Sequence, residues 1–212
     1  MTFGNRPTRR DAALILALLC LAGAAFPAMP ARAGNTVEHP GSGAALQQIM
    51  LGLQSVKQSR ARFVERKYLH MLNQPLESSG TLIYAAPGHL EKNTERPKPE
   101  SLVVDRDNLT VTGGPDGQSR SLSLSDNPEI GAIVESVRAT LAGDDESLNR
   151  FYVVRLQGSL PAWTLLLEPR DPKVLAMVSS IRITGRNSRI ESVETFEAGG
   201  DRSVMTVLPD RP

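Results

Sequence analysis

Along this chain the apolar positions fall into three patterns: one unbroken run near the start, two stripes at helical spacing, and many short alternations. The first stripe, Leu46, Ile49, Met50, Leu53 and Val56, recurs at intervals of three and four and predicts a helix from about Ala44 to Gln58. The second, Ile130, Ile133, Val134, Val137 and Leu141, has the clearer boundaries. Asp126 or Asn127 stands where an N-cap belongs, Pro128 suits the first helical position, Glu129 complements the helix dipole, and Gly143 is a C-terminal stop.

Alternation at period two predicts strands at Ala61–Arg66, around Gly80–Tyr84, at Ser101–Val104, Leu109–Val111 and Ser121–Ser125. Asp105-Arg106-Asp107-Asn108 reads as a hairpin turn, and Gly113-Gly114-Pro115-Asp116-Gly117 as a second turn. Glu95 to Glu100, with Pro97 and Pro99, reads as an extended loop. The last third is strand after strand: Phe151–Leu156, Trp163–Glu168, Val178–Thr184, Arg189–Ala198 and Arg202–Leu208, separated by Gly and Pro turns. Short strands joined tightly predict an antiparallel meander, so the chain reads as helix, strands, helix, strands.

The unbroken run, Ala12 to Ala25, lies between Arg6, Arg9 and Arg10 on one side and Pro27, Pro30 and Ala31-Arg32-Ala33 on the other. A basic region, an apolar core and small residues at −3 and −1 make residues 1–33 a cleavable secretory signal. The run is short for a membrane span, which needs roughly 20 apolar residues, and an uncleaved anchor is the alternative. Arg9-Arg10 is followed by Asp11-Ala12 and reads as an ordinary basic n-region instead of a twin-arginine signal. Cys20 lies inside the apolar core after Leu18-Leu19, without the small residue a lipid-attachment box needs. Residues 34–43, small and polar, read as a leader, and residues 44–212 as one domain with ample length for a core.

Removal of residues 1–33 takes away the single cysteine, which excludes a disulfide framework, a thiol nucleophile and a cysteine metal site. It also takes Lys plus Arg from 24 to 20 and Asp plus Glu from 23 to 22, so a formal charge of +1 becomes −2. No concentrated positive field remains for nucleic acid. His39, His70 and His89 stand in no metal-ligand spacing, and no Gly-x-Ser-x-Gly elbow or phosphate loop occurs. Asp144-Asp145-Glu146 reads as a solvated loop, and Asn108-Leu109-Thr110 fits both a glycosylation sequon and a turn. The expectation is therefore a protein with no catalytic residue, no metal and no cofactor.

The order of elements and several segments carry a resemblance. Ala61-Arg62-Phe63-Val64-Glu65, then Pro75 through Leu90 with its Gly80-Thr81-Leu82 and Pro87-Gly88-His89-Leu90, then Val104-Asp105-Arg106-Asp107-Asn108-Leu109, resemble the LolA-type family of periplasmic carriers of outer-membrane lipoproteins. The likeness runs from about Ala44 to Leu208. It implies an α+β fold: a half-open, curved antiparallel sheet, an incomplete barrel, with helices closing its concave face over an apolar cavity. It further implies a monomeric periplasmic carrier of acylated lipoprotein or other lipid-linked cargo, an inner-membrane donor and an outer-membrane acceptor.

On periodicity alone the stripe from Ile130 to Leu141 is a core face; the resemblance reads it as cavity wall. The cavity liners it implies are Phe63, Leu82, Tyr84, Leu90, Leu102, Val104, Ile133, Val137 and Trp163. Two positions depart from the family pattern. Many members have an arginine before the strand-ending proline, tying sheet to lid, and a tryptophan five residues after it; here Ala86 and Lys92 stand there. A lipoprotein-sensing regulator on the same fold is the alternative reading. Such regulators usually carry a further C-terminal domain, whereas this chain runs to Pro212, so the carrier is the expectation.

Overall fold

The structure, a computed structural model, describes residues 42–113 and 117–210. The expected signal peptide, the leader as far as residue 41, and residues 114–116 of the second glycine-rich turn lie outside the described residues.

Helix α1 (Ser42–Gln54) buries Ile49, Met50 and Leu53 and stops four residues earlier than its apolar stripe predicts. Val56 and Lys57 are already a connection into β1 (Gln58–Tyr68). From there the chain runs as a meander through β2 (Leu76–Ala85), β3 (His89–Arg96), β4 (Glu100–Asp105), β5 (Asn108–Gly113) and β6 (Ser119–Ser123). Helix α2 (Pro128–Ala142) and a short α3 (Asp145–Phe151) intervene. The second meander is β7 (Tyr152–Ser159), β8 (Ala162–Pro169), the single turn α4 (Pro172–Leu175), β9 (Val178–Arg186), β10 (Arg189–Glu197) and β11 (Arg202–Pro209).

Both meanders share one antiparallel sheet in the order β6-β5-β4-β3-β2-β1-β11-β10-β9-β8-β7. The seam is the β1–β11 pairing, Ala61 opposite Pro209 through Tyr68 opposite Arg202, which joins the two ends of the described chain. The edges β6 and β7 do not pair among the described residues, so the sheet is open and not a closed barrel. The segment linking those edges is α2 and α3, which places the helices over the concave face. The fold is thus α+β, a curved open antiparallel sheet with its helices on the inner side.

Helix α2 serves both halves of the sheet. Ile130 and Val134, one turn apart, pack with Val104, Leu109, Leu122 and Leu124 of the first meander. Ala132, Ile133 and Ala139 join Ile49, Met50, Leu53, Leu165, Leu167, Ile181 and Ile183 on the other side. Gly143 ends the helix in the left-handed region at φ 65, as expected. A Cβ there would stand 2.1 Å from the Met50 carbonyl oxygen, so this glycine also sets the close approach of α1 and α2. Asn127 precedes the helix but does not cap it; its Nδ2 donates to the Ser123 carbonyl at 2.8 Å. Instead Asp107 ties the β4–β5 turn to the helix start, accepting from Ser123 Oγ, Ser125 N and Ser125 Oγ at 2.8–2.9 Å.

Besides α1, several elements differ from the pattern-based expectation, among them strand β3, which the alternation did not predict. The proline-flanked loop shrinks to Pro97–Pro99, because β3 runs to Arg96 and β4 begins at Glu100. Asp144-Asp145-Glu146 is no loop: Asp144 caps α3, its Oδ1 accepting from the Ser147 backbone N–H at 2.9 Å. Asp171 similarly caps α4, accepting from Lys173 N at 2.7 Å. Both helices are too short to show an apolar period, so only their caps announce them.

Candidate functional site

The inner face of the sheet follows from strand alternation. In β1 the odd positions Ser59, Ala61, Phe63, Glu65 and Lys67 point one way, and the registers carry that face to Leu82 and Tyr84 in β2, Leu90 and Lys92 in β3, and Leu102 and Val104 in β4. On the other side of the seam it continues through Ser203, Met205 and Val207 in β11, Val193 and Thr195 in β10, and Ile181 in β9. Between this face and the helices lies a cavity of about 700 Å³. Its roof is Leu53 of α1, Val56, and Ile133, Val134, Val137 and Leu141 of α2. Exposed Arg60, Arg189, Glu191 and Asp210 border it, with Arg60 Nε 3.1 Å from Asp210 Oδ2.

Of the nine liners expected from sequence, Leu82, Tyr84, Leu90, Leu102, Val104, Ile133 and Val137 stand on the cavity wall. Phe63 and Trp163 do not. Phe63 points inward but is 1% exposed, and the ammonium of Lys92 lies 5.2 Å from its ring centroid, so the ring forms a layer beneath the wall. Trp163 belongs to the packed half of the core. Its indole covers Gly185, where a Cβ would come within 2.2 Å of Cζ2, and its Nε1 donates to the Asn187 carbonyl at 2.9 Å.

The wall also contains a buried polar cluster that the apolar reading did not single out. Glu65 is 4% exposed, Ser203 5%. Glu65 Oε1 accepts from Ser203 Oγ at 2.5 Å, and Oε2 accepts from Lys92 Nζ at 2.5 Å and from Ser78 Oγ at 3.5 Å. Burial by itself would raise the Glu65 pKa; the charges of Lys92 and Lys67 and the bonds from Lys92 and Ser203 outweigh it and hold the carboxyl below its ordinary value. Three strands away on β4, Glu100 is shifted the other way, its carboxyl raised by desolvation. The sequence signal for Glu65 was its place two residues after Phe63, which puts a carboxylate on the same inward face. Met205, Val207, Val193, Leu53 and Val56 also line the cavity and were not anticipated as liners.

The lid is tethered from the helix side. Ala86 occupies the position where the resemblance leads one to expect an arginine, and Arg138 of α2 supplies a tie in the opposite direction. Its aliphatic stem lies over Gly88 in the β2–β3 turn, Nη1 donates to the Arg106 carbonyl at 2.8 Å, and Nε donates to Glu135 at 2.8 Å. Within α2 the buried hydroxyls are satisfied locally: Ser136 Oγ donates to Ile133 O and Thr140 Oγ1 to Ser136 O, both at 2.6 Å. Tyr152 OH donates to Ala132 O at 2.8 Å, and desolvation raises its pKa.

His39 lies outside the described residues; His70 and His89 serve a turn and a strand end. His70 donates its backbone N–H to Asp201 Oδ1 at 2.8 Å and meets the same oxygen with Nδ1, while His89 Nε2 lies 2.8 Å from Glu91. Among the described residues no group of three or more His, Cys, Asp or Glu is placed to hold a metal ion. None of their helices is long and apolar enough to cross a membrane.

A family profile described as outer membrane lipoprotein carrier protein LolA-like matches residues 40–209. No curated protein matches the sequence. Among solved structures the chain is similar to a LolA superfamily protein from Nitrosomonas europaea, at 12% identity and a TM-score of 0.44, over 81% of this chain and 94% of that one. It is also similar to a DUF1329 family protein from Desulfovibrio piger, at 12% identity and 0.43 over 78% and 90%. A third is a domain from Vibrio parahaemolyticus described as an outer membrane lipoprotein-sorting protein, at 8% identity and 0.40 over 78% and 91%.

Proposed function

This chain belongs to the LolA-like family of outer membrane lipoprotein carrier proteins, and on that premise we propose that it is a periplasmic carrier of acylated cargo. The acyl chains lie in the cavity between the sheet and α2, against Leu82, Tyr84, Leu90, Leu102, Val104, Ile133 and Val137. The observation that carries this reading is the cavity itself. Protein interiors are packed as densely as organic crystals and leave few voids larger than a water molecule. A space of about 700 Å³ with a mostly aliphatic wall is instead the size of a small-molecule site.

The energetics suit a shuttle. Each buried methylene contributes about 0.8 kcal/mol, so ten of them offer roughly 8 kcal/mol before the cost of ordering chain and lid is subtracted. Non-directional burial needs no close recognition of one chain length, which fits cargo that must be both accepted and released. The lid helix α2 rests on few polar ties, chief among them Arg138, and its outward movement opens the cavity without breaking the sheet. The basic and apolar N-terminal segment supports delivery across the inner membrane, from which an inner-membrane donor hands over cargo bound for an outer-membrane acceptor. The protein binds and transfers; it performs no covalent step.

The test is to express the full chain, purify it from the periplasm without detergent, and compare its mass under native and denaturing conditions. The expected result is extra mass that leaves on denaturation and fragments as acylated material. A protein that carries no such mass, and takes up no fluorescent fatty acid afterwards, has a filled or collapsed core and is no carrier.

A further inference from the structure

A wall that only shelters acyl chains needs apolar side chains alone. Here the inner face carries Glu65 hydrogen-bonded to both Lys92 and Ser203, and all three line the cavity. Desolvating a carboxylate and an ammonium is expensive, and an apolar pair of similar volume serves packing as well or better. A charged pair in such a wall therefore invites a binding role.

The hydrogen bonds divide the labour. Both oxygens of Glu65 are engaged, Oε1 by Ser203 and Oε2 by Lys92 and Ser78. Lys92 brings three N–H donors, and among the described residues Glu65 is its one hydrogen-bond acceptor. Phe63, with its ring centroid 5.2 Å from Nζ, supports the ammonium from below. Glu65 is thus the saturated partner that holds Lys92 in place, and Lys92 is the one with donors to spare. Of the other acids that line the cavity, Glu91 is engaged by His89 and Asn93, Glu191 by Arg186, and Asp210 by Arg60.

We infer that Lys92 is the headgroup site of the cavity: its ammonium, positioned by Glu65, which Ser203 in turn holds, receives the anionic oxygen of an acidic acyl lipid, a carboxylate or a phosphate. The inference rests on the carrier reading and narrows its substrate class. An acyl chain held through an ester or amide carries no charge at its polar end and gains nothing from a cation in the wall. A fatty acid or an acyl phosphate ester gains a charge-assisted hydrogen bond in a poorly hydrated site.

The experiment is displacement of a fluorescent fatty acid from the purified, delipidated protein by hexadecanoic acid, its methyl ester and a hexadecanoyl glycerol phosphate. At least one acidic ligand is expected to bind about tenfold or more tighter than the ester, the increment a charged hydrogen bond supplies. Whichever acid is preferred identifies the headgroup as carboxylate or phosphate. Removing Lys92 alone strands a buried Glu65, so the informative variant is the double substitution Glu65→Gln with Lys92→Met. It should bind the ester within about twofold of the parent and lose the preference for acids. Lys92→Arg should keep that preference. Equal binding of ester and acids by the parent, or a preference that survives in the double variant, overturns the inference and leaves the carrier reading standing. Failure of all three ligands to bind overturns both.

Discussion

Two leucines of the same sheet give the cavity a thermodynamic signature. Leu167 of β8 is 0% exposed and packs in the helix-covered core, opposite Ile181. Leu82 of β2 faces the cavity and is half-buried. Leu→Ala removes the same atoms at both positions. At Leu167 the loss is the transfer energy of those atoms plus a new closed void, about 3–5 kcal/mol in well-packed cores. At Leu82 the side chain already borders open space, so no new closed void forms and only part of the transfer energy was ever gained, about 1 kcal/mol. For a domain of this size each kcal/mol lowers the melting temperature by about 2–4 °C. Delipidated Leu167→Ala should therefore melt about 10 °C below the parent, and Leu82→Ala only about 3 °C below. Saturation with hexadecanoic acid should raise the parent's melting point and widen the deficit of Leu82→Ala, because the ligand now meets the missing atoms. Calorimetry or urea unfolding of the three proteins, with and without ligand, reads both effects. Should Leu82→Ala cost 3 kcal/mol or more in the absence of ligand, the space beneath α2 is packed core and the carrier argument loses its footing.

Gly143→Ala should lower stability by about 2–4 kcal/mol in urea unfolding, since it combines a left-handed backbone at φ 65 with a Cβ set 2.1 Å from Met50 O. The single tryptophan, Trp163, lies in the packed half of the core, so acyl ligands should leave its emission maximum in place; a marked shift on ligand addition would relocate the site. Because the folded Glu65 carboxyl sits below the ordinary value of 4.5, the stability it contributes is present above that pH and is lost as the pH falls through the folded value. Acid titration of unfolding should accordingly show a shallower decline for Glu65→Gln than for the parent. Arg138→Met keeps the stem over Gly88 and deletes the bond to Arg106 O, so it should cost about 1 kcal/mol and speed release of a bound fluorescent fatty acid in stopped flow.

What the sequence disclosed depended on whether the physics was local. Helix α2 was legible at both ends because Pro128, Glu129 and Gly143 are punctuation that acts within one turn. That its stripe is shared between two clusters was not, since Ile130 and Val134 meet one meander and Ala132 and Ile133 the other. Strand β3 escaped because His89-Leu90-Glu91-Lys92-Asn93-Thr94-Glu95-Arg96 is mostly polar, and only its inward Leu90 and Lys92 say which face it shows. The β1–β11 seam joins residues about 140 positions apart, and no short-range pattern records such a pairing.

The same division explains the site. Alternation assigns a residue to a face but not to a depth on that face, and depth decides whether an inward side chain is wall or filling. Phe63 and Leu82 have the same orientation, yet Phe63 lies under Lys92 while Leu82 meets open space. Trp163 was expected in the wall from the family resemblance. Its cross-strand neighbour Gly185 is the better guide, because a glycine directly across from a tryptophan makes room for the indole to lie on the sheet. The informative residues were those that break the alternation. Glu65, two positions from Phe63, and Lys92, two from Leu90, put opposite charges on a mostly apolar face. Opposite charges at inward positions of separate strands must meet or be expelled, and here they meet at 2.5 Å. A cavity built from apolar residues alone would offer an acyl ligand no preferred end; on the proposed reading this pair supplies one.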